Sequence, residues 1–196
     1  MKEEVRFVGL SGSLRKGSFN TMLLHNVREL LPADVTMEIV SIAEIPVYNG
    51  DLDLPLAKER PAPVTTFRNS LANADGLVIV SPEYNYSIPG VLKNAIDWAS
   101  RGEDSPLLKK PVAVMGATPG MWGTVRMQLA FQSVFLFLDM KPVLKPEVLI
   151  ASAATKFNEQ GKLTDEKARE LITKKLMALK ELVLRLRTKH AGVEAG

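Results

Sequence analysis

Val5-Arg6-Phe7-Val8-Gly9-Leu10-Ser11-Gly12-Ser13-Leu14-Arg15-Lys16-Gly17-Ser18-Phe19-Asn20-Thr21 is an apolar run that breaks into a short polar turn and reopens as a helix. Val5 to Leu10 lacks the polar alternation of a strand with one wet face, so it reads as a strand buried on both sides. Beyond the turn, Phe19, Met22, Leu23, Val27, Leu30 and Leu31 recur at helical spacing, and Pro32 closes the pattern. Buried strand, tight loop and amphipathic helix in that order make the first half of a βαβ unit.

The same alternation continues outward from that stretch. Val35 to Val40 is a partly alternating strand, as suits a sheet edge. Residues 45–64 are punctuated by Pro46, Pro55, Pro61 and Pro63 and read as a loop or broken connection. A short helix follows from Val64 to Ala74, and Gly76 to Val80 is a third, buried strand ending on Ser81-Pro82. Gly90 opens a helix through Val91, Leu92, Ala95, Ile96, Trp98 and Ala99. Pro111 to Met115 is the fourth strand, followed by a glycine-rich loop from Gly116 to Gly123 and a helix to Leu138. Lys141 to Ile150 is expected to be a fifth strand with an irregular start at Pro142 and Pro146. Thr164 to Arg187 is the last helix, with acids in its first turn and bases in its last, as the macrodipole prefers.

Strands alternating with helices imply right-handed crossovers and a parallel sheet covered on both faces. The expected fold is an α/β, flavodoxin-like, doubly wound five-stranded parallel sheet of order 2-1-3-4-5. It forms a single domain over residues 1–190, with 191–196 expected to be a frayed tail. In that order the direction of winding reverses between the first and third strands, and ligands bind beyond their carboxyl ends.

Composition narrows the chemistry. The chain has 196 residues with 25 Lys plus Arg against 22 Asp plus Glu, a net charge of +3. That balance is far from the dense positive footprint of a nucleic-acid binder, so no nucleic-acid partner is expected. Cysteine is absent, which removes disulfides, thiolate nucleophiles, Cys-based zinc sites and iron–sulfur clusters together. Any redox chemistry must come from a bound organic cofactor. No apolar run reaches the ~20 residues of a membrane span, and Phe7 to Leu10 is too short for a signal-peptide core, so the expectation is a cytoplasmic protein without a membrane partner. His25 and His190 are the only histidines and fall on different helices, which leaves a metal site or a Ser-His-Asp arrangement without support.

The loop after the first strand reads as a phosphate cradle. It joins a buried strand to a helix N-terminus, where free backbone N–H groups and the dipole attract an anion. Ser11, Ser13, Ser18, Asn20 and Thr21 add hydroxyl and amide donors, and Arg15 offers a fork for a phosphate monoester. Ser18 follows Gly17 where a Walker A motif requires lysine, and G-x-G-x-x-G is missing, which argues against an NTPase and a dinucleotide-binding Rossmann domain. The alternative is a serine-rich turn capping a helix, with Arg15 and Lys16 merely solvated.

The loop after the third strand, Ser81-Pro82-Glu83-Tyr84-Asn85-Tyr86-Ser87-Ile88-Pro89-Gly90, places two tyrosines and an amide between prolines. Prolines stiffen it, so its backbone groups and aromatic faces can be held ready for a planar heterocycle. Equally, the tyrosines can simply cover the end of the sheet.

These two segments, with Leu92-Lys93-Asn94-Ala95-Ile96-Asp97-Trp98, closely resemble the NADPH-dependent FMN reductase family, in its quinone and chromate reductase branch. The resemblance spans nearly the whole chain. It implies FMN as cofactor and NADPH or NADH as co-substrate, with ping-pong hydride transfer to flavin and on to quinones, azo compounds, free flavins or oxyanions such as chromate. By resemblance Ser11, Ser13, Arg15, Ser18, Asn20 and Thr21 bind the phosphate, and Pro82, Glu83, Tyr84, Asn85, Tyr86 and Ser87 frame the isoalloxazine. The loop after the fourth strand, Ala117 to Gly123, supplies Thr118 and Gly120 as further contacts. No catalytic acid or base is demanded, because the flavin carries the hydride. A non-catalytic FMN electron carrier of flavodoxin type is the first alternative, and a structural role in an oligomer with incidental flavin is the second. Flavodoxins are usually acidic, whereas this chain has a pI near 9.1.

Two other features bear on assembly. Leu129, Ala130, Phe131, Val134, Phe135, Leu136, Phe137 and Leu138 leave the helix from Met127 almost no polar side, so a second subunit is expected to cover part of it, as a homodimer or homotetramer. Trp122 is read as core or interface. The basic end of the last helix, interleaved with Leu176, Leu179, Val183 and Leu186, reads as a packed amphipathic helix.

Overall fold

The structure is a computed structural model that describes residues 4–193, with side chains to residue 188. The decisive stretch is strand β1 (Val5–Ser11) running into helix α1 (Phe19–Glu29). Strand β2 (Val35–Val40) flanks β1 on one side and β3 (Gly76–Val80) on the other, with β4 (Pro111–Ala117) beyond β3. With the short strand β5 (Lys141–Pro142), the order is β2-β1-β3-β4-β5, every pairing is parallel, and β2 holds the expected edge.

The fifth strand departs from expectation. Instead of one run from Lys141 to Ile150 there are two short strands, β5 and β6 (Leu149–Ile150), which pair with opposite ends of β4 at Pro111–Val112 and Gly116–Ala117. Pro142 and Pro146 carry no N–H for the ladder, so the chain between them arches away from β4 and returns. The sheet therefore has six strands in the expected order.

Helices α2 (Ala62–Ala72), α3 (Gly90–Ala99), α4 (Val125–Phe137) and α5 (Glu166–Val193) complete the chain. Alternate strand residues enter opposite layers, as a period of two requires. Phe7, Val78 and Ala113 pack with α1 and α5, while Val8, Leu77 and Val112 pack with α2, α3 and α4. Helix α5 starts two residues later than expected and runs past Arg187 to Val193. The frayed tail expected at 191–196 thus begins as helix, and residues 194–196 lie outside the described residues, as does the side chain of His190. Among the described residues no helix is long and apolar enough to cross a membrane.

Helix α4 buries Met127, Phe131 and Phe135 at four-residue spacing against the sheet. Leu129, Leu136 and Phe137 remain 64, 84 and 75% exposed, so the all-round apolar helix is covered on one side only.

Candidate functional site

Strands β1 and β3 end level with one another, and β4 runs two residues further. Ser11 is in register with Val80, and Val80 with Met115, so the three loops that follow emerge side by side where the winding reverses. The Gly12 N–H donates to the Val80 carbonyl at 2.9 Å, and the Ser81 N–H to that of Met115 at 3.0 Å. A Cβ on Gly12 would lie 2.1 Å from Ser81 Oγ, so only glycine lets the first loop cross the second this closely.

The first loop is organised around its hydroxyls. Ser18 is the N-cap of α1, its Oγ accepting from the Asn20 N–H at 3.2 Å. Ser13 Oγ accepts from the Arg15 N–H at 3.3 Å, and the hydroxyls of Ser11 and Thr21 bond each other at 2.8 Å. Among the described residues the N–H groups of Leu14, Lys16 and Gly17 have no partner. Arg15 and Lys16 are exposed, and the Arg15 guanidinium folds back to within 3.9 Å of where a Gly17 Cβ would stand. Free N–H groups, hydroxyls, a guanidinium and the positive end of α1 thus share one turn, the composition of an anion site. Asn20 is bonded to the protein itself. It is 3% exposed, its Nδ2 donates to the Ala117 carbonyl, and its Oδ1 accepts from the Ala117 N–H, both at 2.8 Å.

The second loop is a miniature hairpin. The Tyr84 N–H donates to the Ser87 carbonyl at 3.2 Å and the Ser87 N–H returns to that of Tyr84 at 2.9 Å. Asn85 and Tyr86 form its two-residue tip at φ 49° and 64°. Asparagine tolerates the left-handed region, whereas the bulky tyrosine is strained there by on the order of 1–3 kcal/mol. Tyr84 and Tyr86 are 49 and 69% exposed, so they do not seal the sheet end. Pro82 is half-buried behind them.

Glu83 reaches away from the hairpin to helix α4. Its Oε2 accepts from the N–H groups of Arg126 at 2.9 Å and Met127 at 3.2 Å, and its Oε1 lies 3.4 Å from Arg126 Nη1. This carboxylate does the capping that Thr124, held at φ 70° with no side-chain cap bond, does not. The Arg126 guanidinium in turn lies 4.1 Å from the centroid of Tyr86 and 4.9 Å from that of Trp122. Trp122 is 61% exposed, which corrects the reading of it as core: at the loop's open rim its partner is a cation. Arg126 belongs to neither sequence motif; its one signal is that it is the lone charge of α4.

The third loop is tied to the segment after β6. The Thr118 N–H donates to the Ile150 carbonyl and its carbonyl accepts from the Ala153 N–H, both at 2.9 Å, while the Gly120 carbonyl accepts from the Ser152 N–H at 3.0 Å. Thr118 Oγ1 accepts from the Gly120 N–H at 3.2 Å. Gly123, at φ 56°, passes the backbone of Leu149 so closely that a Cβ would approach it to 2.7 Å. The predicted site residues therefore gather at three adjoining loop mouths, with Asn20 and Glu83 engaged behind them.

Residues 5–155 match the model of the NADPH-dependent FMN reductase family. The chain is 46% identical over 187 residues to an NAD(P)H-dependent FMN reductase of Pseudomonas aeruginosa, covering 95% of this chain and 100% of that one. It is 40% identical over 189 residues to a quinone reductase of Escherichia coli, again covering 95% and 100%. A solved flavoenzyme NAD(P)H:(acceptor) oxidoreductase from Paracoccus denitrificans superposes with a TM-score of 0.82 at 29% identity, over 92% of this chain and 98% of that one. With relatives this similar along almost its full length, and the family's two long loops meeting at the reversal of the sheet, the chain belongs to the NADPH-dependent FMN reductase family.

Proposed function

We propose that this protein holds FMN across the three loops and works as an NAD(P)H-dependent reductase of quinones and related acceptors. The observation that carries the reading is the pairing of an anion cradle at the start of α1 with an exposed aromatic hairpin one strand away. The phosphate monoester fits the free N–H groups of Leu14, Lys16 and Gly17, the hydroxyls of Ser11, Ser13, Ser18 and Thr21, and Arg15. Pro82, Tyr84, Asn85, Tyr86 and Ser87 suit the planar ring, with Thr118 and Gly120 at its rim. Asn20 and Glu83 serve as positioning residues, one tying the cradle to β4 and the other tying the hairpin to α4.

FMN, when bound, supplies the two-electron chemistry that a chain without cysteine lacks. The protein would contribute binding, orientation and electrostatics: the cradle would hold the phosphate and the hairpin would frame the ring. NADPH or NADH and the acceptor would use the same crevice in turn, which is the basis for a ping-pong order. Quinones, azo compounds, free flavins and oxyanions such as chromate are the acceptor classes proposed. The bare apolar residues of α4 support a homodimer or homotetramer, and a cytoplasmic location is part of the proposal. Steady-state rates over a matrix of NADPH and quinone concentrations test the order. Parallel double-reciprocal lines are expected; intersecting lines, or FAD as the flavin extracted, overturn the proposal.

A further inference from the structure

Lys175, on α5, is 2% exposed. Its Nζ donates to the carbonyls of Val143 and Pro146, both at 3.0 Å and both in the arch between β5 and β6. An ammonium has three donors, so these two bonds leave one N–H over. Among the described residues no carboxylate stands within ion-pair distance of it, because Glu147, the acid of the arch, faces Lys145 Nζ at 3.3 Å. A buried cation without an anion is costly, and burial pushes the Lys175 pKa down to about 8, with Glu147 pulling it up and Lys145 pushing it down.

Lys175 belongs to the lining of a cleft of about 380 Å³ between α4 and the arch, on the β5 side of β4 and not at the reversal between β1 and β3. Leu129, Phe135, Val143, Leu144 and Leu149 give it apolar walls, and Gln128, Gln132, Lys145 and Glu147 also line it. A volume of that order lies at the small end of the roughly 300–1,000 Å³ of small-molecule clefts. Lys145 and Glu147 of the lining pair with each other, so Lys175 is its one charge without a counter-ion, which calls for a single anionic head on an apolar body. Phosphates and sulfates, which need several donors, are poorly served.

We propose that this cleft is a second ligand site, separate from the flavin crevice, which binds a small monocarboxylate with its carboxylate on the free N–H of Lys175 and its hydrocarbon body between α4 and the β5–β6 arch. The assignment does not rest on the flavin reading. The test uses the flavin-loaded protein and octanoate as probe, with octanamide as its neutral counterpart, followed by calorimetry. One equivalent of octanoate is expected to bind, with octanamide weaker by about tenfold or more, as a lost charge-assisted hydrogen bond implies. Lys175→Met should erase that preference, and Leu129→Trp, which fills the slot without touching the lysine, should abolish binding. If Lys175→Met fails to fold, the comparison of the two ligands and Leu129→Trp still decide. Equal binding of octanoate and octanamide, or binding that survives both substitutions, overturns the proposal. So does an absence of octanoate binding together with dissociation of the Lys175→Met assembly, which would give the cleft to a carboxylate of a second copy.

Discussion

Asn20 grips Ala117 from both sides: its Nδ2 donates to the Ala117 carbonyl and its Oδ1 accepts the Ala117 N–H, each at 2.8 Å, across 97 residues of chain. The first turn of the helix behind the phosphate cradle is thereby fastened to the end of β4, from which the third loop departs. Both bonds are buried, so neither backbone group can turn to water when the amide is removed.

Asn20→Ala is therefore expected to destabilise the protein and not only its ligand affinity. Two orphaned backbone groups at about 1–3 kcal/mol each, relaxing in part, suggest a loss of about 3 kcal/mol and a melting midpoint lower by about 10 °C. A melt of the flavin-free protein checks this, and an unchanged midpoint would mean the clasp adds nothing.

Arg15→Ala should do the reverse. The side chain is exposed and the core does not use it, so circular dichroism and the melt of the flavin-free protein should match wild type. Loss of a charged hydrogen bond of roughly 1.5–3 kcal/mol predicts FMN binding weaker by about ten- to a hundredfold. Affinity within threefold of wild type would make Arg15 a bystander.

Lys175 predicts a pH effect of definite sign. Its folded pKa of about 8 lies below the free value of 10.5, so the unfolded chain holds this proton more tightly. The penalty is present in full below about pH 8 and is relieved as pH rises towards 10.5, so this group makes stability rise with pH in that window. Against Lys175→Met, wild type should gain up to about 3 kcal/mol between about pH 8 and pH 10.5, at 1.36 kcal/mol per unit. Denaturant titrations of both proteins across that range measure it; a difference that does not move with pH contradicts the prediction.

The exposed face of α4 predicts assembly. Leu136 and Phe137, 84 and 75% exposed, should be covered by another subunit, so light scattering is expected to give a dimer or tetramer mass. Leu136→Glu should lower that mass. A wild-type monomer at micromolar concentration would show that the bare face has another purpose.

Much of the architecture was legible because the strands that matter are buried on both faces. Val5 to Leu10 and Gly76 to Val80 have no polar alternation to mislead, and the loops after them carry the polar residues. The split of the last strand was only half legible. Pro142 and Pro146 announced irregularity, but whether the chain would return to β4 depends on the partner strand, which the local pattern does not contain. Within the site, residue types located the loops but not the use of each side chain. Asn20 and Glu83 stand among the polar residues of the two loops, and only the fold shows that they also bond groups 97 and 43 residues away. Lys175 was invisible as a buried cation, since in a helix studded with lysines only the arch above it distinguishes it.

Anaerobic stopped-flow absorbance of the purified, FMN-loaded protein mixed with NADPH tests most directly whether FMN in this crevice takes electrons from reduced nicotinamide. The yellow flavin band is expected to bleach within the turnover time, and a quinone added afterwards to restore it with one equivalent consumed per FMN. A protein that binds no FMN in the crevice, or whose bound FMN stays yellow under both NADPH and NADH, would contradict a flavin-dependent reductase.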